Sequence, residues 1–132
     1  NAKAALLTRG LVEIVRLGRK VGAQNETFYG LAGLGDLITT STSPYGRNRR
    51  VGMEIGKGRM LADILAGMEQ VAEGVETTGA VLDLARRLDV EMPITAEVSN
   101  ILFEGKDPRQ AVVDLMVRSL KDESPKTKPE KE

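Results

Sequence analysis

Residues 30–50 read GLAGLGDLITTSTSPYGRNRR, and the residue types that could do chemistry collect there. Three glycines, Gly30, Gly33 and Gly35, lead to one carboxylate, Asp36. Six hydroxyl-bearing residues follow from Thr39 to Tyr45, and then the cluster Arg47, Asn48, Arg49 and Arg50. Each part has an ordinary structural reading: tight helix contacts for the glycines, a helix cap for Asp36, a solvated helix face for the arginines. The spacing is not that of a phosphate loop, which ends in Gly-Lys-Ser/Thr, and no predicted strand precedes it as a dinucleotide fingerprint requires. Taken together, the parts support a sharper reading. Ser43, Pro44 and Tyr45 mark a helix entry, which places Arg47 and Asn48 beside exposed backbone N–H groups. Helix N-termini attract anions, and a guanidinium fork matches phosphate oxygens. An upstream aspartate can accept hydrogen bonds from a substrate hydroxyl or hold a lysine ammonium. The set suits a small phosphorylated polyol, and on spacing alone this reading and the scaffold reading weigh equally.

Composition narrows the alternatives. The 132 residues carry 19 basic and 19 acidic side chains, so the basic cluster is a local departure from zero net charge. Nucleic-acid binding needs distributed cations and, for single strands, aromatic platforms. Tyr45 is the one aromatic beside the cluster, and no nucleic-acid partner is expected. With no cysteine and no histidine, a disulfide scaffold, thiol catalysis, cysteine-ligated zinc and histidine-based triads are excluded within these residues, and no metal site is expected. Strictly apolar runs reach only four residues, against roughly 20 for a membrane span. No export signal is visible, so no membrane partner and a cytoplasmic location are the expectations.

The elements that must position the cluster read as helices. In residues 2–22, Ala4, Leu7, Leu11, Ile14 and Leu17 fall on one side of a helix, and Arg9, Glu13, Arg16 and Lys20 form the opposite, solvated stripe. Gly10 and Gly18 each weaken that helix by about 1 kcal/mol relative to alanine, which suggests close approach of neighbours and a central position. Residues 60–68 give an amphipathic stretch through Leu61, Ile64, Leu65 and Met68. Residues 75–88 give another through Val75, Thr78, Leu82, Ala85 and Leu88, with Arg86 and Arg87 near its C-terminal end. Pro93 suits the first turn of a helix carrying Ile94, Val98, Ile101 and Leu102, with Gly105 as its stop. Asp107-Pro108-Arg109-Gln110 is a start signal in which Asp107 caps and Gln110 reaches back, with Ala111, Val112, Leu115 and Met116 as the buried face. No segment shows sustained period-two alternation. The expectation is an all-α domain of five to eight helices over residues 1–120, followed by a flexible polar tail, 121–132.

Four ordered motifs carry a resemblance: NAKAALLTRG at 1–10, GLAGLGDL at 30–37, GRNRRVG at 46–52 and VAEGVET at 71–77. Together they resemble bacterial NAD(P)-dependent glycerol-3-phosphate dehydrogenases, over residues 1–120 and only in that family's C-terminal, helical substrate-binding domain. The resemblance implies the fold of the C-terminal domain of 6-phosphogluconate dehydrogenase-like enzymes. It implies reversible reduction of dihydroxyacetone phosphate to sn-glycerol 3-phosphate with NAD or NADP, for glycerophospholipid synthesis. It assigns Asp36, Gly46, Arg47 and Asn48 to the substrate and Arg47, Val71 and Glu73 to the cofactor. Position 46 is commonly serine in the family, so Gly46 has only its backbone to offer.

No catalytic residue is expected in this chain. The family's catalytic lysine falls shortly before the position of Asn1, and Lys3 is an exposed residue on the first helical turn. The N-terminal Rossmann-type dinucleotide-binding domain has no counterpart in these residues, so the expected partner is that domain of the same protein, and the chain alone is expected to be inactive. A homodimer is a further expectation, because related helical domains build dimer interfaces. The rival reading is a non-enzymatic helical dimerisation or interaction module with a relic phosphate site.

Overall fold

Local sequence chemistry sets some helix boundaries, clearest at Asp107-Pro108, and distant side chains set others. The computed structural model describes residues 1–118; the tail expected at 121–132 lies outside the described residues. Among these there are eight α-helices and no strand: α1 Ala2–Lys20, α2 Asn25–Tyr29, α3 Asp36–Thr42, α4 Arg47–Gly56, α5 Leu61–Ala66, α6 Glu73–Arg87, α7 Pro93–Phe103 and α8 Pro108–Val117. A π-helical turn, Leu31–Gly35, joins α2 to α3.

Helix α8 follows its start signal: the Asp107 carboxylate accepts from the N–H groups of Arg109 and Gln110 at 2.8 and 3.0 Å. Gln110 does not reach back as expected. Its amide donates forward to Asp114 at 2.8 Å, one turn along the same helix. Helix α7 stops at Gly105, whose φ of 68° lies in the left-handed region. Helix α6 ends the same way on a non-glycine residue: Asp89 takes φ 53°, and the Val90 N–H closes the turn on the Ala85 carbonyl at 2.8 Å. Aspartate tolerates this conformation better than most residues.

Helix α1 packs against α2, α3 and α7; α7 also meets α6 and α8, and α4 meets α5 and α6. One core cluster joins Leu17 of α1 to Ala85, Val90 and Met92. A second joins Val51 of α4, Ile64 of α5, and Ala72 and Val75 at the start of α6. Burying a side chain such as Val51 or Ile64, each 3% exposed, stabilises by about 1.5–3 kcal/mol. This second cluster fixes how the first turns of α4 and α6 face each other.

The helical wheel of α1 needs correction. Ile14, expected inside, is 42% exposed, while Glu13, expected on the solvated stripe, is 3% exposed. The reason is tertiary. The Glu13 carboxylate accepts from the N–H groups of Ile94 and Thr95 and from the Thr95 hydroxyl, at 2.6, 3.1 and 3.1 Å. It thereby caps α7, whose own cap position is Met92, a residue with no acceptor to offer. Of the two α1 glycines, Gly18 lies under the Phe28 ring, where an added Cβ would come within 2.2 Å of ring carbon, whereas Gly10 has nothing within 4 Å. Helix α8 also departs from expectation: Ala111 is buried, but Val112 and Met116 are 50% and 75% exposed. Both side chains line a groove of about 460 Å³ shared with the N-terminal half of α1 and the start of α7, and among the described residues nothing covers that face of α8.

Candidate functional site

The turn before α4 decides where the basic cluster points. Gly46 closes it by donating its N–H to the Ser43 carbonyl at 3.3 Å and then takes an extended conformation, φ −62° and ψ 118°. It sits against the end of α3, where a Cβ would come within 3.3 Å of the Thr40 carbonyl oxygen. Helix α4 begins at once, so Arg47 and Asn48 are its first two residues, as the helix-entry reading expected. The first backbone bond of the helix runs from the Arg50 N–H to the Gly46 carbonyl at 2.9 Å. The N–H groups of Arg47, Asn48 and Arg49 therefore lie in the turn that has no intrahelical acceptors, and no side chain of the cap residue serves them.

That turn is electrostatically inverted. A helix N-terminus carries about half a positive charge and prefers carboxylates. The first turn of α4 has no acidic residue and holds Arg47, Arg49 and Arg50. The neighbouring α6 shows the usual preference, with Glu73 and Glu76 in its first turn.

The two N-termini meet. The Asn48 side-chain oxygen accepts from the Gly74 N–H at 3.1 Å, and Arg47 faces Glu73 at 3.8 Å. Helix α6 has no side-chain cap of its own, because Ala72 occupies the cap position, and Asn48 serves as its cap from another helix. The contact is close: a Cβ on Gly74 would come within 2.7 Å of the Asn48 carboxamide. Sequence reasoning missed Gly74 as a member of this constellation. The available signal was an apolar cap residue, Ala72, followed two positions later by a glycine in a helical first turn.

Val71 sits just before α6, 62% exposed beside the buried Ala72. Arg47, Asn48, Val71 and Glu73 are thus grouped at the facing starts of α4 and α6, and Gly46 adjoins them. Asp36 is placed differently. The chain enters α3 straight from the π-helical turn, so Gly35 is already helical and Asp36 is the first residue of the helix, not its cap. Its carboxylate accepts from the Thr40 hydroxyl at 3.3 Å, and among the described residues no ion pair joins it to Arg47. The hydroxyls of Ser41 and Thr42 are also spent locally, donating to the Ile38 carbonyl at 3.0 and 2.7 Å. The 460 Å³ groove lies elsewhere and is lined by none of these site residues.

Similarity to known proteins identifies the family. The family described as "NAD-dependent glycerol-3-phosphate dehydrogenase C-terminus" matches residues 1–113. The chain is 58% identical over 123 residues to a glycerol-3-phosphate dehydrogenase [NAD(P)+] of Syntrophotalea carbinolica, covering 93% of this chain and 37% of that protein. It is 57% identical, with the same coverage, to the enzyme of that name from Geobacter sulfurreducens. The crystal structure of glycerol-3-phosphate dehydrogenase from Coxiella burnetii superposes with a TM-score of 0.86 at 46% identity, over 89% of this chain and 36% of that one. The chain thus spans a little over a third of the length of these relatives. Family match, sequence identity and helical architecture converge: the chain belongs to the C-terminal domain family of NAD-dependent glycerol-3-phosphate dehydrogenases.

Proposed function

We propose that residues 1–120 are the substrate-side domain of a dehydrogenase that interconverts dihydroxyacetone phosphate and sn-glycerol 3-phosphate with NAD or NADP, in the cytoplasm and for glycerophospholipid synthesis. The observation that carries the reading is the inverted first turn of α4, where Arg47, Arg49 and Arg50 crowd an uncapped helix N-terminus. Three cations at the positive end of a helix oppose local stability, and such a violation is expected where a ligand compensates for it. A phosphate dianion does so, accepting from the free N–H groups and the Arg47 fork.

In this reading Arg47, Asn48 and the Gly46 backbone hold the phosphate end of the substrate, and Asp36 accepts from a substrate hydroxyl. The residues at the start of α6 fit a dinucleotide: Val71 offers exposed apolar surface, Glu73 an acceptor for hydroxyls, and Arg47 a cation for its phosphates. The nicotinamide supplies the hydride when bound. This chain's own residues orient the substrate and exclude water from one side of a cleft, the other side being the Rossmann-type domain of the longer protein. Proton exchange at the carbinol oxygen falls to a lysine expected before Asn1 in that protein.

The test is kinetic. A full-length dehydrogenase carrying this domain oxidises NADH with dihydroxyacetone phosphate, Arg47→Ala raises the substrate KM and lowers turnover, and the isolated chain shows no turnover. Unchanged kinetics for Arg47→Ala removes that residue from the site, and steady NADH oxidation by the isolated chain overturns the division of labour.

A further inference from the structure

The hydrogen bond between Asn48 and Gly74 fixes the chemistry of both ends of one carboxamide. A backbone N–H can be accepted only by the amide oxygen, so the 3.1 Å contact to the Gly74 N–H assigns Oδ1 to the fold. The Nδ2 group, with two donors, takes no part in that bond and lies over the Gly74 α-carbon, 2.7 Å from where a Cβ would stand. Asn48 is the second residue of an uncapped, arginine-rich helix start, so this donor is held at the end of α4 whose N–H groups are free. The side chain is exposed, and packing alone does not select its rotamer. The Gly74 contact does. It is available because Gly74 has no Cβ: an added methyl group would come within 2.7 Å of Asn48 Cγ and Nδ2 and within 2.8 Å of Oδ1.

We propose that Gly74 is a positioning residue for the phosphate end of the substrate, acting through Asn48: its bare α-carbon lets the Asn48 oxygen cap α6, which orients the Asn48 Nδ2 donor toward the anion and holds Arg47 beside Glu73. The proposal rests on the dehydrogenase reading and deepens it, since nothing in that reading gives Gly74 a role. The same contact couples the two halves of the site. Arg47 and Asn48 begin α4, Glu73 and Gly74 begin α6, and the carboxamide is the hydrogen bond that ties one start to the other. Displacing it moves the substrate-side donors relative to the cofactor-side residues Val71 and Glu73.

The decisive experiment is a double-mutant cycle in a full-length dehydrogenase carrying this domain, reading KM for dihydroxyacetone phosphate and kcat separately. Gly74→Ala is expected to raise KM at least fivefold with kcat changed less than twofold. Asn48→Ala is expected to raise KM by a similar or larger factor. The double variant is expected to be no worse than Asn48→Ala alone, because the added methyl group then has no carboxamide to displace. A variant that keeps the cap and loses the donor separates folding from binding. Asn48→Asp preserves an acceptor for the Gly74 N–H, so its thermal unfolding midpoint is expected within a few degrees of wild type, while its KM rises at least tenfold.

A Gly74→Ala enzyme with KM within twofold of wild type overturns the proposal, as does a double variant whose KM change is the product of the two single changes. An Asn48→Asp enzyme with wild-type KM overturns it equally. Failure of the underlying reading looks different: the wild-type enzyme itself then shows neither turnover of dihydroxyacetone phosphate nor affinity for glycerol 3-phosphate. If Gly74→Ala does not fold, the comparison of Asn48→Ala with Asn48→Asp tests the step on which the Gly74 role depends, the Asn48 donor held by the cap. A KM raised in both variants, with the loss of stability confined to Asn48→Ala, supports the Nδ2 assignment, and an Asn48→Asp enzyme indistinguishable from wild type overturns it.

Discussion

Glu13 and Thr95 are 82 positions apart in sequence, yet the backbone N–H and the hydroxyl of Thr95 both donate to one oxygen of the Glu13 carboxylate, each at 3.1 Å. The other oxygen takes the Ile94 N–H at 2.6 Å, so a single buried side chain of α1 satisfies the first turn of α7. Leaving buried donors unpaired costs about 1–3 kcal/mol each. Glu13→Ala is therefore expected to destabilise by about 3 kcal/mol or more, and Glu13→Gln, which keeps one acceptor, by about 1–2 kcal/mol. Urea unfolding of the two variants checks the order; equal midpoints for wild type and Glu13→Ala would show that the cap contributes nothing.

Glycine-to-alanine changes are expected to have opposite signs at two positions. At Gly10, inside α1, nothing lies within 4 Å of an added Cβ. Alanine there gains helix propensity without a clash and is expected to stabilise by about 0.5–1 kcal/mol. At Gly33, in the π-helical turn, the added Cβ would come within 2.2 Å of the Phe28 carbonyl oxygen and 2.5 Å of its Cα. Backbone cannot swing aside as a side chain can, so Gly33→Ala is expected to destabilise by about 2 kcal/mol or more. Thermal unfolding midpoints that move in the same direction for both variants contradict this.

Acid and alkali are expected to weaken the fold through different pairs. Hydrogen bonds from Lys57 and then Arg59 lower the Glu54 carboxyl from 4.5 to about 2. A lowered folded pKa adds stability that is present above the unfolded value and is lost as pH falls toward the folded one. The stability gap between wild type and Glu54→Gln is thus expected to close between pH 4.5 and about 2. Lys106 bonds Asp114 at 2.6 Å and Glu97 at 2.5 Å, bridging α8 to α7. Hydrogen bonds to Asp114 and then Glu97 raise the Lys106 pKa above 10.5, and those from Lys106 and then Gln110 lower Asp114 below 3.8. The lysine contribution is complete below 10.5 and is lost as pH rises through its folded value. Lys106→Met is expected to remove that alkaline loss, read as midpoint against pH; a Lys106→Met profile that declines above pH 10.5 as wild type does excludes it.

Arg47→Lys tests shape against charge. Its ion pair with Glu73 is long, at 3.8 Å, and both side chains are substantially exposed, 45% and 76%. Such a pair contributes at most about 1 kcal/mol, so the lysine variant is expected to match wild-type stability to within that amount. A planar fork on a phosphate is worth more than a point charge, so in a full-length dehydrogenase the same change is expected to raise the KM for dihydroxyacetone phosphate about tenfold. Wild-type KM with lysine at this position means that charge alone is read there.

Much of this protein was fixed locally. Asp107-Pro108 starts α8 and Gly105 stops α7 because capping and left-handed turns depend on residues within a few positions of each other. The spacing of Val75, Ala85 and Leu88 set the buried side of α6, and Ser43-Pro44-Tyr45 announced α4, because helical period and turn chemistry are properties of adjacent residues. The motifs at 30–37, 46–52 and 71–77 likewise pointed to the family that the comparisons bear out.

What the chain could not disclose by itself were the caps supplied from a distance. Ala72 and Met92 stand where α6 and α7 need an acceptor, and the missing oxygens come from Asn48 and Glu13. A helical wheel puts Glu13 toward water because it knows only the period of α1. The first turn of α7, with two N–H groups unsatisfied by its own cap residue, draws that carboxylate inward. The pairing of Gly74 with Asn48 is decided in the same way. Burial of Val51, Ile64, Ala72 and Val75 in one cluster brings the two helix starts together, and an unsatisfied N–H on one and a carboxamide on the other then meet.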